Sequence, residues 1–180
     1  MEKQLKSLEQ NIRGKRNFDN PPLQLWQPPL SGDIDIRIAA DGAWYHEGGR
    51  IERDSLVRLF ASILRREDDG EYYLVTPAEK WRIQVELHPL MVIDITVMEE
   101  QDSHPLLQAT LNTGKNVVVG EQHPLFLEPA MGDIAALKLD HGLSALFTRA
   151  AWYRLVDMTT EVEGKPAITS GDYVFKLLRE

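Results

Sequence analysis

The 180-residue chain contains no cysteine. That removes disulfides, thiolate metal sites and cysteine nucleophiles. No apolar run approaches the ~18 residues that a membrane-spanning helix needs, so no membrane span is expected. The N-terminus lacks the continuous apolar stretch of a secretory signal, which makes the cytoplasm the default location. Positive charge is in short supply: 20 Lys and Arg face 28 Asp and Glu, for a net charge of −8. A chain with that balance disfavours polyanions, so no nucleic-acid polymer is expected as a partner. Signatures of catalysis are missing as well. The sequence has no HExxH, no GxSxG elbow, and neither GxxxxGK[ST] nor GxGxxG.

Apolar residues make up 43% of the chain, an ordinary share for a folded core. The length suits one medium domain or two small ones. The strongest periodicity is in the centre of the first half. Leu56, Val57, Leu59, Phe60, Ile63 and Leu64 fall at i, i+1, i+3, i+4, i+7 and i+8, an apolar stripe along a helix. Asp54 is the better candidate for its N-cap, with Arg53 as the alternative. The turn residues Asp68, Asp69 and Gly70 lie beyond its end.

Strand signals surround this helix. Ile34, Ile36 and Ile38 alternate with charged residues, and Asp41-Gly42 predicts a tight turn into a return strand at Trp44 and Tyr45. Tyr72 to Val75 and Trp81 to Leu87 read as strands joined by a turn at Thr76 to Glu79. The pairs Pro21-Pro22 and Pro28-Pro29 bracket an extended arm whose Leu25 and Trp26 are expected to pack inward. Further on, Val92 to Met98 is expected to point Ile93, Ile95 and Val97 inward. Leu107 to Leu111, Val117 to Val119, Leu125 to Leu127 and Ile134 to Leu139 add strands. Leu143, Leu146, Phe147, Ala150 and Tyr153 predict a second helix capped by Asp140. Val162 to Ile168 and Tyr173 to Leu178 predict a closing hairpin.

These readings give an α+β fold of two similar small lobes, each an antiparallel sheet or partial barrel packed against one main helix. Residues 1–20 form a tail or short helix, 21–98 an N-terminal lobe and 99–180 a C-terminal lobe, with the polar run Glu99 to Ser103 as the soft point between them. A weak internal correspondence points to duplication. It sets Leu56–Phe60 against Leu143–Phe147, Val75-Thr76-Pro77 against Ile168-Thr169-Ser170, and Ile36–Ile38 against Val117–Val119.

Ligand chemistry is sparse. Gly48-Gly49-Arg50 leads toward a helix N-terminus, where free N–H groups favour an anion and Arg50 and Arg53 add donors; an ordinary turn is the plainer reading. Lys15 and Arg16 are basic enough to touch a phosphate, but a solvated tail is the better reading. His88, His104 and His123 each precede proline, which marks strand ends more readily than a metal site. Glu79 and Lys80 sit together after Thr76-Pro77, in what reads as a solvated turn.

The stretches LWQPPLSGDIDIRIAADGAWYHEGG, LVRLFASILRREDDGEYYLVTPAEKWRIQVE, HPLFLEP and HGLSALFTRAAWYRLVD resemble a bacterial family catalogued as a domain of unknown function. The resemblance covers Leu25 to Leu178 and is more specific in the first half. Asp41, Gly42, Trp44, Gly48, Arg53, Thr76, Pro77, Glu79, Lys80, His123, Pro124, Arg149, Ser170 and Gly171 stand within its signature stretches. It implies a duplicated α+β domain with a C-terminal half loosely like a pleckstrin-homology barrel. It also implies a nucleotide-like ligand between the halves, a role in signal transduction, and no catalytic set. On that footing Trp44 or Tyr153 is placed to stack a base, and Arg53, Lys80 or Arg149 to meet a phosphate. Thr76 and Glu79 complete the candidate ligand-binding set. The expectation is therefore a non-catalytic ligand-binding module. The alternatives are a hydrolase of phosphorylated small molecules, with Mg²⁺ held by Asp33 or Asp35 and Glu79, and a protein-interaction scaffold. No pattern points to a particular cofactor or oligomeric state.

Overall fold

The computed structural model describes residues 2–13, 20–98 and 105–177. The chain divides into two compact units, Met1–Pro89 with His141–Leu143, and Leu90–Asp140 with Ser144–Glu180. The first unit runs α1 (Glu2–Arg13), a 3₁₀ turn (Leu23–Leu25), β1 (Leu30–Ile38), β2 (Trp44–His46), β3 (Gly49–Arg50), α2 (Asp54–Ser62), β4 (Leu64–Arg66), β5 (Tyr72–Val75) and β6 (Lys80–Val85). Its six strands lie in the order β3-β2-β1-β6-β5-β4. Neighbours are antiparallel except β1 and β6, which are parallel.

The second unit runs β7 (Leu90–Met98), β8 (Leu106–Leu111), β9 (Asn116–Val118), β10 (Leu125–Glu128), β11 (Ile134–Lys138), β12 (Ser144–Phe147), α3 (Arg149–Asp157), β13 (Thr160–Val162), β14 (Lys165–Ser170) and β15 (Tyr173–Lys176). Its six-stranded sheet has the order β10-β11-β12-β7-β8-β9, again with one parallel pair, β7 with β12. β13, β14 and β15 make a separate antiparallel sheet.

Read from β9, the second sheet runs third, second, first, sixth, fifth, fourth. That is the order of the first sheet. Each is two three-stranded meanders joined through a parallel pairing of the first strand with the last. The two lobes are thus similar, as the α+β reading expects, but the sequence correspondence offered for them is corrected. Leu56–Phe60 lies in α2 whereas Ser144–Phe147 is strand β12. Val75 ends the fifth strand of its sheet, but Ile168 belongs to the separate three-stranded sheet. Ile36–Ile38 lies in a first strand and Val117–Val118 in a third. The helices also differ in place: α2 connects the third and fourth strands, and α3 follows the sixth.

Several local expectations change for identifiable reasons. α2 stops at Ser62, whose hydroxyl donates to the Leu59 carbonyl at 2.7 Å, and Leu64 passes into β4 opposite Leu74. The apolar stripe runs on past the helix because Phe60, Ile63 and Leu64 are all core residues. Arg53 is the N-cap, and its side chain makes no capping hydrogen bond. Asp54 is the first helical residue, where a carboxylate favours the positive end of the helix.

The second helix begins later than its spacing suggests. Ala145, Leu146 and Phe147 are buried on both faces of a central strand, and such a run carries no alternation to separate it from a helix. Thr148 then caps α3, accepting from the Ala151 N–H at 3.3 Å. In β7 a register shift between Val92 and Asp94 moves the inward face. Ile95 is buried, but Ile93 and Val97 are 46% and 50% exposed. The proline-bracketed arm is a 3₁₀ turn with Leu23 buried and Leu25 73% exposed, the reverse of the expected packing for Leu25. Lys15, Arg16, His104, Leu178 and the run Glu99 to Ser103 lie outside the described residues.

Candidate functional site

In the first unit, cross-strand register sets four residues in a row: Arg65 opposite Tyr73, Tyr73 opposite Arg82, and Arg82 beside Asp33. Side chains directly opposite one another share a face of the sheet. Two residues from Arg82 on the same strand, Lys80 shares that face, and Glu67 follows Arg65 by two. The other face carries Leu64, Leu74, Trp81 and the isoleucines of β1. Period-2 alternation therefore places charge and apolar core on opposite sides of one sheet.

The charges in this row pair differently. Arg82 uses both donors of one guanidinium edge on a single carboxylate: Nε donates to Asp33 Oδ1 at 2.7 Å and Nη2 to Oδ2 at 3.0 Å. This fork holds the Asp33 carboxyl below its ordinary range. Arg65 is 8% exposed and is bonded on two sides. Its Nη1 donates to the Leu23 and Trp26 carbonyls, both at 2.9 Å, which pins the N-terminal arm. Its Nη2 donates to Glu67 Oε1 at 2.5 Å. Its buried Nε, on the same edge as Nη2, has no acceptor among the described residues. Glu67 turns instead toward Lys80, whose Nζ donates to Oε2 at 2.9 Å and to Oε1 at 3.2 Å. Burial pushes the Glu67 carboxyl up, but the hydrogen bonds from Lys80 and Arg65 outweigh it and hold the group below its usual range.

Tyr73 lies between these pairs, with Lys80 Nζ 4.8 Å from its ring centroid, within cation–π range. Its hydroxyl donates to Asp69 Oδ2 at 2.6 Å, and this bond pushes the phenol up to about 12. The same bond, with the Glu71 N–H on Oδ1, holds Asp69 down.

The candidate residues read from the sequence scatter over the two units. Trp44 is 2% exposed and packs against Phe60, with ring centroids 6.3 Å apart. It is a core residue, so its faces are not open to a base. Thr76 is buried and organises the β5–β6 turn, its Oγ1 accepting from the Glu79 N–H at 3.0 Å and the Ala78 N–H at 3.3 Å. Glu79 accepts from Ser7 of α1 at 3.4 Å, and Arg53 donates to Glu9 of α1 at 2.8 Å. α1 therefore touches both of those positions. Lys80 is the candidate that belongs to the charged row. Arg149 opens α3 as an exposed residue, and Tyr153, one turn on, is 59% exposed.

Arg65, Glu67, Tyr73 and Arg82 were not singled out by sequence. The signal for them was present: Lys80 and Arg82 alternate with Trp81 and Ile83, and Arg65 interrupts an apolar run. For the hydrolase reading, Asp33 lies in β1 and is held by Arg82, whereas Glu79 lies in the β5–β6 turn. Among the described residues no group of three or more His, Asp or Glu is arranged to hold a metal. No described helix is long and apolar enough to cross a membrane.

Comparison with known proteins agrees with this architecture. Residues 21–87 match the domain of unknown function DUF1285, N-terminal domain, and residues 89–177 match the protein of unknown function DUF1285, C-terminal domain. The crystal structure of a DUF1285 family protein from Silicibacter pomeroyi DSS-3 is 37% identical, covering 95% of this chain and 94% of that one, with a TM-score of 0.84. That of a DUF1285 family protein from Shewanella baltica OS155 is 34% identical, covering 69% of this chain and 91% of that one, with a TM-score of 0.57. No curated protein matches the chain. With both halves matched and a relative of this identity aligned over almost its whole length, the chain belongs to the DUF1285 family.

Proposed function

We propose that this protein is a non-catalytic module that binds a small anionic ligand of nucleotide-like chemistry, and that its role is in cytoplasmic signal transduction. The observation that carries the reading is the half-used guanidinium edge of Arg65. Arg82, on the same face, fills its own edge with one bidentate carboxylate. Arg65 gives only Nη2 to Glu67 and leaves Nε without an acceptor among the described residues. Beside it Lys80 presents an ammonium already bonded to the same carboxylate. Two cations gathered on one internal acid form a seat for an oxyanion, with Glu67 as its intramolecular occupant. A phosphate or carboxylate spanning Nε and Nη2 makes the bidentate contact that Glu67 does not. The pleckstrin-homology likeness of the C-terminal unit belongs to the same reading.

Thermal-shift measurements with mono- and dinucleotides, cyclic dinucleotides and inorganic phosphate test this. Ligand that binds the folded state raises its stability by RT ln(1 + [L]/Kd). A rise is expected with wild type and a larger one with Glu67→Gln, in which the internal competitor loses its charge. No rise in either protein at millimolar ligand rejects the reading.

A protein-interaction scaffold is the second reading. Leu25 and Leu30 favour it, since both are exposed large apolar residues on one short, anchored arm. Recovery of a stoichiometric protein partner without any small-molecule response would select it.

A further inference from the structure

The Arg65 guanidinium has two working edges. Nη1 holds the carbonyls of Leu23 and Trp26, and the opposite edge, Nε with Nη2, faces Glu67. We propose that Arg65 couples occupancy of its anion fork to the docking of the N-terminal arm, so that a bound oxyanion locks Pro21–Trp26 onto the first unit. This rests on the anion-binding reading above.

The coupling follows from the geometry of one rigid plane. Guanidinium donors are fixed relative to each other, so whatever orients one edge orients the other. Glu67 orients the fork edge poorly. It takes a single bond from Arg65 and is drawn away by two contacts with Lys80. An oxyanion bonded to both Nε and Nη2 fixes the plane. The two Nη1 bonds to the arm then persist for a larger fraction of the time.

Arg65 reaches this arm through two of its carbonyls, those of Leu23 and Trp26. The arm's own backbone bonds are local: Leu23 N–H to the Pro21 carbonyl, Leu25 N–H to Pro22 and Trp26 N–H to Leu23. Leu23 is buried, Leu25 points outward, and the Ser31 hydroxyl meets the Lys80 N–H at the far end. Opening the arm breaks both Nη1 bonds of Arg65. By reciprocity, an arm held in place raises the affinity of the fork for its anion. The arm is thus the element through which occupancy of the fork is read at the surface.

Hydrogen–deuterium exchange of the full-length protein tests the coupling, using inorganic phosphate, ATP and cyclic di-GMP as probes. Wild type, Glu67→Gln and Arg65→Lys are compared, with binding scored in parallel by thermal shift. In the absence of probe, Arg65→Lys is expected to speed exchange at the Leu23, Leu25 and Trp26 amides about tenfold, through loss of the carbonyl clamp, while β11 amides are unchanged. With a bound probe, the same amides slow several-fold in wild type and further in Glu67→Gln, but not in Arg65→Lys. A probe that raises the melting temperature without slowing the arm overturns the coupling and leaves anion binding standing. If no probe binds to wild type or Glu67→Gln, both ideas fall. If arm exchange in Arg65→Lys matches wild type, the clamp itself is refuted whatever the probes do.

Discussion

Ser170 offers the cleanest quantitative test of how the second unit is held together. It is the last residue of β14 and is 2% exposed. Its hydroxyl accepts from the Leu107 N–H at 2.9 Å and donates to the Val119 carbonyl at 2.6 Å. Leu107 starts the inward face of β8, and Val119 follows β9 and donates its own N–H back to the Leu107 carbonyl. One small side chain thus joins the three-stranded sheet to an edge of the six-stranded one. Ser170→Ala removes both bonds and adds nothing in their place. Each buried backbone group left without a partner costs about 1–3 kcal/mol. The carbonyl has a second lone pair and sits toward the low end. The sum is about 2–4 kcal/mol. Urea denaturation reads it directly, because a slope of about 1–3 kcal/mol per molar urea converts such a loss into a midpoint shift of about 1–2 M. The neighbouring Thr169→Ala, at a less buried position outside this bridge, should stay within about 0.5 kcal/mol. A Ser170→Ala midpoint within error of wild type would show that water or local relaxation replaces the bridge, and the reasoning would fail.

Other perturbations probe other parts. Gly142 has φ +71°, and a Cβ there would lie 3.0 Å from the Arg66 carbonyl oxygen and 3.2 Å from Arg66 Cβ. Gly142→Ala should therefore cost about 2–3 kcal/mol in thermal or chemical melts. Gly171→Ala should cost about 1 kcal/mol, because at φ +57° its new methyl meets the movable end of Leu106. Tyr73 should be the last tyrosine to ionise in an ultraviolet titration, near its raised value of about 12, and Asp69→Asn should bring it down. Since the folded-state value is raised, this bond stabilises fully below the unfolded tyrosine value near 10 and is lost as pH rises through about 12. The acid side has the opposite sign. Glu67 and Asp33 are held down, so their contributions are present above the ordinary carboxylate range and disappear as pH falls through the folded values. Glu67→Gln should flatten the acid limb of a stability profile.

What the sequence made legible was the part written in one face at a time. Ile34, Ile36 and Ile38 announced β1, and all three are buried. Asp41-Gly42 announced the turn, where Gly42 adopts φ 84° and Asp41 accepts from the Ala43 N–H. What failed were segments buried on two faces or shifted in register. Leu143 to Phe147 reads as helix because a central strand needs apolar residues at every position. Ile93 reads as core because a register shift between Val92 and Asp94 leaves no mark in the alternation, while Val97 shares the face of buried Ile95 but lies near the exposed end of β7. The candidate site failed for a related reason. Trp44 reads as an aromatic able to stack a base, but packed against Phe60 in a small core it is needed for volume. Lys80 was found through the turn it follows, and its partners were missed because Arg65 and Glu67 are close to it only once β4, β5 and β6 are paired.

The duplication shows most plainly why sequence and topology part company. Both sheets keep the same order of six strands, with the first and last paired in parallel at the centre. That pairing is the demanding feature, since parallel neighbours cannot be joined by a tight turn and need a long crossover. Here the crossover runs through the four intervening strands rather than one helix, so the helix is free of that duty and takes a different position in each unit. α2 sits within the crossover of the first, between β3 and β4, while α3 follows the completed sheet of the second. A reading that aligns the halves by their helices must therefore set α2 against the wrong segment, and Leu143–Phe147 was the price of doing so. Aligned by strands instead, β6 of the first unit corresponds to β12 of the second. β6 begins with Lys80 and carries Arg82, and β12 reads Ser144, Ala145, Leu146 and Phe147. The charged row thus belongs to one copy of a shared sheet and is replaced by apolar core in the other. That difference between equivalent strands confines the proposed anion seat, with its Arg65 edge, to the first unit.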